Sequence, residues 1–300
     1  MREAHAPSRR TFLSQAAGAV LTAPWLASSV FAQPATNAKD ASKPTQLRVI
    51  AYNVYVCTGW PKERALAKKT VAAGQFPERF ANELALYEPD LINFSESPKE
   101  DVVKRIAERL KMNYVMFPSG EKWPGALLTK YDILESQAAP IPAELASKDL
   151  FTRHWGRAVV RLPDDSRLIV HSAHLHPSKD DLRKEIDAML KSMSADLKAD
   201  KSMLLLGDLN HEPKPPEYPQ WTAAGWIDTF AKVGQGEGLT IKSDVPEKRI
   251  DFVLAAGPIA KTVVESRPLF EGAFRVNVND PESFALSDHL PQLAVFKSGE

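Results

Sequence analysis

The chain has 300 residues, of which 44% are hydrophobic and 25% charged, with 38 basic against 38 acidic side chains. This composition excludes a disordered or collagen-like chain and suits a soluble fold with a sizeable core. A balanced charge gives no support to a tight nonspecific nucleic-acid binder, which carries a basic surplus, although it leaves room for a local basic patch. With Cys57 as the single cysteine, no intramolecular disulfide can form, and the thiol is read as a core group rather than a nucleophile.

The first segment, SRRTFLSQAAGAVLTAPWLASSVFAQ, has the layout of an export signal. Arg9 and Arg10 precede a modestly apolar stretch from Ala16 to Phe31, and Val30 and Ala32 suit cleavage before Gln33. It resembles a twin-arginine translocation signal, which implies the export machinery as a partner and a periplasmic or secreted destination reached after folding. An uncleaved anchor is the competing reading, but Thr22, Pro24, Ser28 and Ser29 interrupt a run already short for a spanning helix. Residues 33–46, rich in Pro, Ala, Ser and Thr, read as a flexible leader, and residues 47–300 as a single domain without a transmembrane segment. Losing residues 1–32 takes Lys+Arg from 38 to 35 and Asp+Glu from 38 to 37, so the mature chain stays about neutral.

Along the domain, eight strand-like runs follow: LRVIAY (47–52), DLINFS (90–95), ALLTKY (126–131), GRAVVRL (156–162), RLIVHSA (167–173), MLLLG (203–207), RIDFVLA (249–255) and LPQLAVF (290–296). Several are too continuously apolar to be half exposed, which predicts sheets covered on both faces. Helical stripes lie between them: Phe80, Leu84 and Tyr87, ending at Pro89; Val102, Val103, Ile106 and Leu110; and Leu182, Ile186, Met189, Leu190, Met193 and Leu197. Ser178 with Asp181 resembles a capping box. Segments 136–155, 212–219 and 265–285 read as long loops, which often shape a site.

The polar residues at the ends of these runs carry the chemistry. LRVIAY runs into Asn53, DLINFS into Glu96, RLIVHSA into His174, and MLLLG into Asp208 and Asn210. In the last two runs the polar groups stand at the beginning: Asp251 in one, Ser287, Asp288 and His289 ahead of the other. If those two strands run antiparallel to the rest, all of these groups meet at one end of the sheets. Four carboxylates converging there would repel by about 4 kcal/mol per pair at ~4 Å and an effective dielectric near ~20. Apart from Arg249, no basic residue lies within these motifs, so a hard divalent cation, Mg²⁺ or Mn²⁺, is the expected occupant. Metal, carboxylate base and histidine donors suit attack of water on a phosphoryl centre.

These motifs, AYNV, DLINFSE, GALLTKYDI, SAHL, GDLNHEP, AAGWIDTF, RIDFVL and SDHLPQLAVF in that order, resemble the endonuclease/exonuclease/phosphatase superfamily, the deoxyribonuclease I fold, over residues 47–297. The resemblance implies an α/β four-layer sandwich of two mixed β-sheets flanked by helices. It also implies that Glu96 binds the metal, Asn53 helps fix it and Asp288 completes a metal position. Asp208 would orient or deprotonate the attacking water, and Asn210 would hold Asp208 and a phosphate oxygen. His174 would donate to the phosphoryl group, and His289, held in its tautomer by Asp251, would bind or protonate at the phosphate. Tyr55 stands where some nucleases of the family carry an acidic or amide residue, which favours a single metal. His171, His176 and His211 could suggest zinc, but their placement along one strand and its exit loop favours supporting histidines.

The family spans nucleases, sphingomyelinases and inositol polyphosphate phosphatases, so the substrate stays open. The reading favoured is an exported metal-dependent phosphodiesterase. The alternatives are a nuclease on extracellular DNA or RNA, a lipid or inositol phosphoesterase, and an inactive binding protein of the same shape. TRHWGR (152–157) offers Arg153, His154, Trp155 and Arg157 either as a phosphate grip with a stacking ring or as a strand entry with Trp155 packed inside. Trp123 in EKWPGA is equally open.

Overall fold

The continuously apolar runs become the central strands of two sheets in the computed structural model, which describes residues 46–141 and 149–297. The signal segment and all but the last residue of the leader lie outside the described residues. In chain order the strands are β1 (Gln46–Asn53), β2 (Leu91–Ser95), β3 (Asn113–Phe117), β4 (Gly125–Thr129), β5 (Asp132–Ala138) and β6 (His154–Arg161). They continue with β7 (Arg167–His174), β8 (Met203–Asp208), β9 (Ile227–Asp228), β10 (Asp251–Ala256), β11 (Val263–Pro268) and β12 (Gln292–Lys297). The helices are α1 (Ala65–Ala72), α2 (Phe76–Ala85), α3 (Glu100–Leu110), α4 (Lys179–Lys198), α5 (Tyr218–Ala223) and α6 (Thr229–Val233).

One six-stranded sheet has the order β11-β12-β1-β2-β4-β3 and the other β5-β6-β7-β8-β10-β9. Both are mixed, because β1 pairs parallel with β2 and β7 parallel with β8 while the remaining neighbours are antiparallel. The period of two along a strand then sorts side chains into layers. Leu47, Val49 and Ala51 of β1 meet Val170, Leu204, Leu206 and Val253 of the opposite sheet in an inter-sheet core. Ile50 and Tyr52 face the other way, onto Phe80 and Ala81 of α2 and Val103 and Ile106 of α3. The outer face of the second sheet is covered by Leu182, Ile186, Met189 and Met193 of α4. Helix, sheet, sheet and helix are therefore stacked as a four-layer α/β sandwich, and the three helical stripes turn inward as their periodicity predicts.

Three local expectations are corrected. Ser178 makes no side-chain cap bond to α4; its N–H donates to His176 Nδ1 at 3.0 Å. Segment 136–155 is not all loop, since β5 extends to Ala138 and β6 begins at His154. Segment 265–285 likewise opens with the last residues of β11 and carries a short 3-10 turn at Gly272–Phe274.

Candidate active site

Strand direction delivers the polar groups to one place. Since β10 is antiparallel to β8, Asp251 pairs directly with Asp208, and the parallel β7–β8 register sets His174 on the other side of Asp208. In the facing sheet Asn53 pairs with Ser95, the residue before Glu96, and β12 runs antiparallel to β1, so Asp288 and His289 arrive at the same end. Ser95 joins the two sheets beneath the site: its hydroxyl lies 3.4 Å from the Ala173 carbonyl and accepts from the Asp208 N–H at 3.4 Å. Gly207 is required here, because a Cβ at its φ of +139° would sit 1.9 Å from the Ala173 carbonyl oxygen.

Asp208 is the hub. Asn53 Nδ2 donates to Asp208 Oδ2 at 3.1 Å and to Glu96 Oε1 at 3.2 Å. His174 Nε2 lies 3.4 Å and His289 Nε2 3.9 Å from the same Asp208 oxygen. The other oxygen, Oδ1, accepts from the Asn210 N–H at 3.0 Å, while Asn210 Nδ2 donates to the Leu175 carbonyl at 2.8 Å. His289 Nδ1 pairs with Asp251 Oδ2 at 2.8 Å, which leaves Nε2 as the ring nitrogen facing the site. Ser287 Oγ donates to the Asn53 carbonyl at 2.7 Å, lies 3.2 Å from Asp288 Oδ1, and accepts from the His289 N–H at 3.2 Å. Every residue singled out from the sequence, Asn53, Glu96, His174, Asp208, Asn210, Asp251, Asp288 and His289, thus stands at this end of the sheets. Glu96 and Asn210 both hold left-handed backbone, at φ of 49° and 52°. Asparagine tolerates that region and glutamate does so only at a cost, which marks Glu96 as a residue retained for its side chain.

Burial governs the charges. It pushes the Asp208 carboxyl upward, reinforced by Asp251, and it also raises Glu96 and Asp288. Burial pulls His289 down, but Asp251, Asp208 and Asp288 more than offset this and lift it to about 10, so the ring is a cation. His174 is driven well below its ordinary value by burial and by Arg153, so it is neutral.

Arg153, offered by TRHWGR either as a phosphate grip or as part of a strand entry and left out of the charge count at the strand ends, stands in the site. Entering from the start of β6, its guanidinium contacts His174 Nε2, lies 4.0 Å from Glu96 Oε1 and stands over the Trp123 ring at 5.5 Å. The same His174 Nε2 thus faces both the Arg153 guanidinium and Asp208 Oδ2, while its Nδ1 is buried without a partner. The elimination of basic residues from the site is therefore corrected: TRHWGR carried the signal, and topology brings it in from a non-adjacent motif. Arg249 turns away, paired with Asp228 at 2.8 Å and stacked on Phe230 and Phe252.

Four carboxylates against Arg153 and the His289 cation leave two formal negative charges, the complement of one divalent ion. Glu96 Oε2 is buried without a hydrogen-bond partner, and an unpaired carboxylate oxygen fits a metal ligand. Asp208, Asp251 and His289 also bring ligand atoms within 4.8 Å of one another. That trio is better read as a hydrogen-bonded relay, because Asp251 and Asp208 hold His289 as a cation whose Nε2 carries a proton. The residues therefore fit a hard divalent cation on the Glu96 side, with Asn53 and Asp288.

The remaining expectations resolve locally. Tyr55 stacks edge-on against Trp60, and its N–H donates to Asn53 Oδ1 at 3.2 Å. Trp155 is buried against Phe151, and His154 is buried with Nδ1 donating to the Trp123 carbonyl at 3.2 Å. His171 accepts from Trp155 Nε1 and His211 from Trp221 Nε1, while His176 Nδ1 accepts from Ser178, so the three histidines serve three separate places. Cys57 is buried in the core, with its thiol pushed out of the reactive range by burial.

A sequence model of the Endonuclease/Exonuclease/phosphatase family matches residues 50–289. No curated protein matches the sequence. Among solved structures, an endonuclease/exonuclease/phosphatase family protein from Bacteroides thetaiotaomicron superposes with a TM-score of 0.63 at 17% identity, covering 85% of this chain and 100% of that one. A mannosyl-6-phosphatase from Bacteroides thetaiotaomicron VPI-5482 gives 0.63 at 17% identity, over 83% of this chain and 98% of its own. An AP endonuclease from Archaeoglobus fulgidus gives 0.62 at 15% identity, over 84% of this chain and 100% of its own. At these identities the likeness speaks for the fold.

Proposed function

The chain belongs to the endonuclease/exonuclease/phosphatase family, and from that premise we propose that it is a metal-dependent phosphoric ester hydrolase, acting as an exported phosphodiesterase. The observation that carries this is the Asp208 hub: one buried carboxylate touched by Asn53, His174 and His289, with Asp251 fixing His289. Export rests on Arg9 and Arg10 and the apolar stretch that follows them.

A Mg²⁺ or Mn²⁺ ion held by Glu96, with Asn53 and Asp288, would neutralise charge on the phosphoryl oxygens. The chain's own residues do the rest. Asp208, its Oδ1 fixed by the Asn210 N–H, accepts a proton from water as the oxygen attacks phosphorus. The P–O ester bond breaks on the opposite side, and the His289 cation donates from Nε2 to an oxygen of the phosphoryl group or leaving group. Asp251 keeps Nδ1 protonated so that Nε2 is the working nitrogen. Arg153, steadied by His174 and Trp123, supplies a fixed positive charge for a non-bridging oxygen.

The test assays the protein on plasmid DNA, RNA, sphingomyelin, bis(4-nitrophenyl) phosphate and 4-nitrophenyl phosphate, each with Mg²⁺, Mn²⁺ or EDTA. Chelator-sensitive turnover that Asp208→Ala abolishes supports the proposal and names the substrate class. Turnover that survives both EDTA and Asp208→Ala refutes it, and no turnover on any substrate favours the inactive binding protein.

A further inference from the structure

On the outer face of the second sheet, beneath the C-terminal half of α4, Gln137 of β5, Arg157 of β6 and His171 of β7 form one cross-strand row. Gln137 pairs directly with Arg157 and Arg157 with His171, which holds the Cβ atoms of each pair about 5 Å apart. Together with Pro140, and with Ser192 and Asp196 of α4, the row lines a cavity of about 260 Å³. His171 stands three residues before His174 on β7 and so faces the opposite side of the sheet from it. Only 1% of His171 is exposed, and its Nδ1 accepts from Trp155 Nε1 at 3.2 Å. Nδ1 therefore keeps its lone pair, and Nε2, the nitrogen left for the cavity, carries the ring proton. Burial, reinforced by Arg157, lowers the ring to about 3, so it stays neutral. The Nε2–H is thus a fixed donor, yet it is buried without a partner among the described residues. A protonated nitrogen has no lone pair for a metal, so what this group calls for is an acceptor.

We propose that this cavity is a second binding site, for a small carboxylate that accepts from His171 Nε2 and from the guanidinium fork of Arg157. The proposal is independent of the phosphoesterase reading. Arg157 is held loosely where it stands: Nη1 lies 3.4 Å from Glu135 and Nη2 3.9 Å from Asp196. Each of those acids has a second cation, since Arg167 lies 3.9 Å from Glu135 and Lys201 2.6 Å from Asp196. An anion that draws on Arg157 therefore strands neither acid. Arg157, Arg167 and Lys201 against Glu135 and Asp196 leave one positive charge, the complement of a monoanion. The planar fork matches the two oxygens of a carboxylate. A phosphomonoester, with a charge of about −1.5 to −2 at neutral pH, would meet stronger repulsion from Asp196. The Ser192 hydroxyl is already given to the Pro140 carbonyl, which ties the segment after β5 to α4 and completes the wall.

The experiment follows the Nε2–H resonance of His171 by nuclear magnetic resonance in protein carrying nitrogen-15 histidine, with the signal assigned by its loss in His171→Gln. Acetate, succinate and inorganic phosphate are added in turn at constant ionic strength. The expected result is a saturable shift of that resonance with acetate or succinate, at a Kd of about 10 mM or tighter. Arg157→Gln should weaken it by about tenfold or more, and Arg157→Lys, which keeps the charge and loses the fork, should weaken it as well. No saturable shift with any of the three leaves the donor to water alone and overturns the proposal. A shift with phosphate only overturns the carboxylate assignment, and a Kd unchanged in both Arg157 variants overturns the site. The wild-type titration decides the matter even if a variant fails to fold, because it requires no substitution at Arg157.

Discussion

A single carboxylate with four neighbours allows a sharp expectation at the scale of the residue. Asp208→Ala and His289→Ala should each lower kcat by about a hundredfold or more, because general-base and charge-stabilising contributions are of that size. Unchanged far-ultraviolet circular dichroism would separate this loss from misfolding, and near-normal turnover in either variant would remove the role assigned to it. Arg153→Ala should reduce kcat/KM by about tenfold or more, since it removes the guanidinium from beside Glu96 and His174. An unchanged steady-state rate would make Arg153 a packing partner of Trp123 only. The carboxylates and histidines were legible in sequence because each follows or precedes an apolar run, and a buried polar group at a strand end needs a reason to be there. Arg153 was less legible: it lies two residues ahead of Trp155 in a stretch that reads equally as strand entry, and only the chain path brings it to Glu96.

Legibility of the elements divides by position in the sheet. All eight runs recognised from apolar content are interior strands, and the four overlooked, β3, β5, β9 and β11, are the four sheet edges. An edge strand keeps a solvated side, so β5 reads DILESQA and β11 VVESRP, without the continuous apolar content that marks a covered strand. Interior strands, in turn, tolerate little. Gly207→Ala would drive a Cβ into the Ala173 carbonyl and hold alanine at a positive φ. It should cost about 3 kcal/mol or more and show as a lowered urea midpoint. A midpoint within error of the wild type would mean that β7 and β8 can part without loss.

On α4, Glu185 is buried and accepts from the Phe151 N–H at 2.6 Å and the His176 N–H at 2.8 Å, tying two segments near the site to the helix. Burial raises its carboxyl to about 7 despite those donors. A folded-state value above the unfolded one means the folded chain holds the proton more tightly, so this contribution is full below about pH 4 and is lost as pH rises through about 7. Between about pH 5 and pH 8 the wild type should lose about 2 kcal/mol of stability relative to Glu185→Gln, whose side chain does not titrate. Urea midpoints of the two proteins at both pH values would check this, and a constant difference would mean that the two backbone donors keep Glu185 ionised throughout.

For the whole molecule, the sandwich places its charge deficit at one end, where two sheets contribute carboxylates that neither could neutralise alone. Glu96, Asn53 and Asp288 come from one sheet and Asp208 and Asp251 from the other, so a cation held by the first three offsets the repulsion between carboxylates that folding brings face to face. Binding to the folded state alone stabilises it by about 2.7 kcal/mol at a ligand concentration of about 100 Kd. For a domain of this size that corresponds to a rise in Tm of about 5–10 °C. Mg²⁺ should therefore raise the Tm of the wild type over its value in EDTA, and Glu96→Ala should abolish most of the rise. Because the readout is melting rather than turnover, it tests the metal position independently of the substrate. Equal shifts in the wild type and Glu96→Ala would move the cation away from Glu96, toward the trio of Asp208, Asp251 and His289. That outcome would require His289 to bind the ion through Nε2 in place of its proton, with Nδ1 still on Asp251, and so would remove the proton donor.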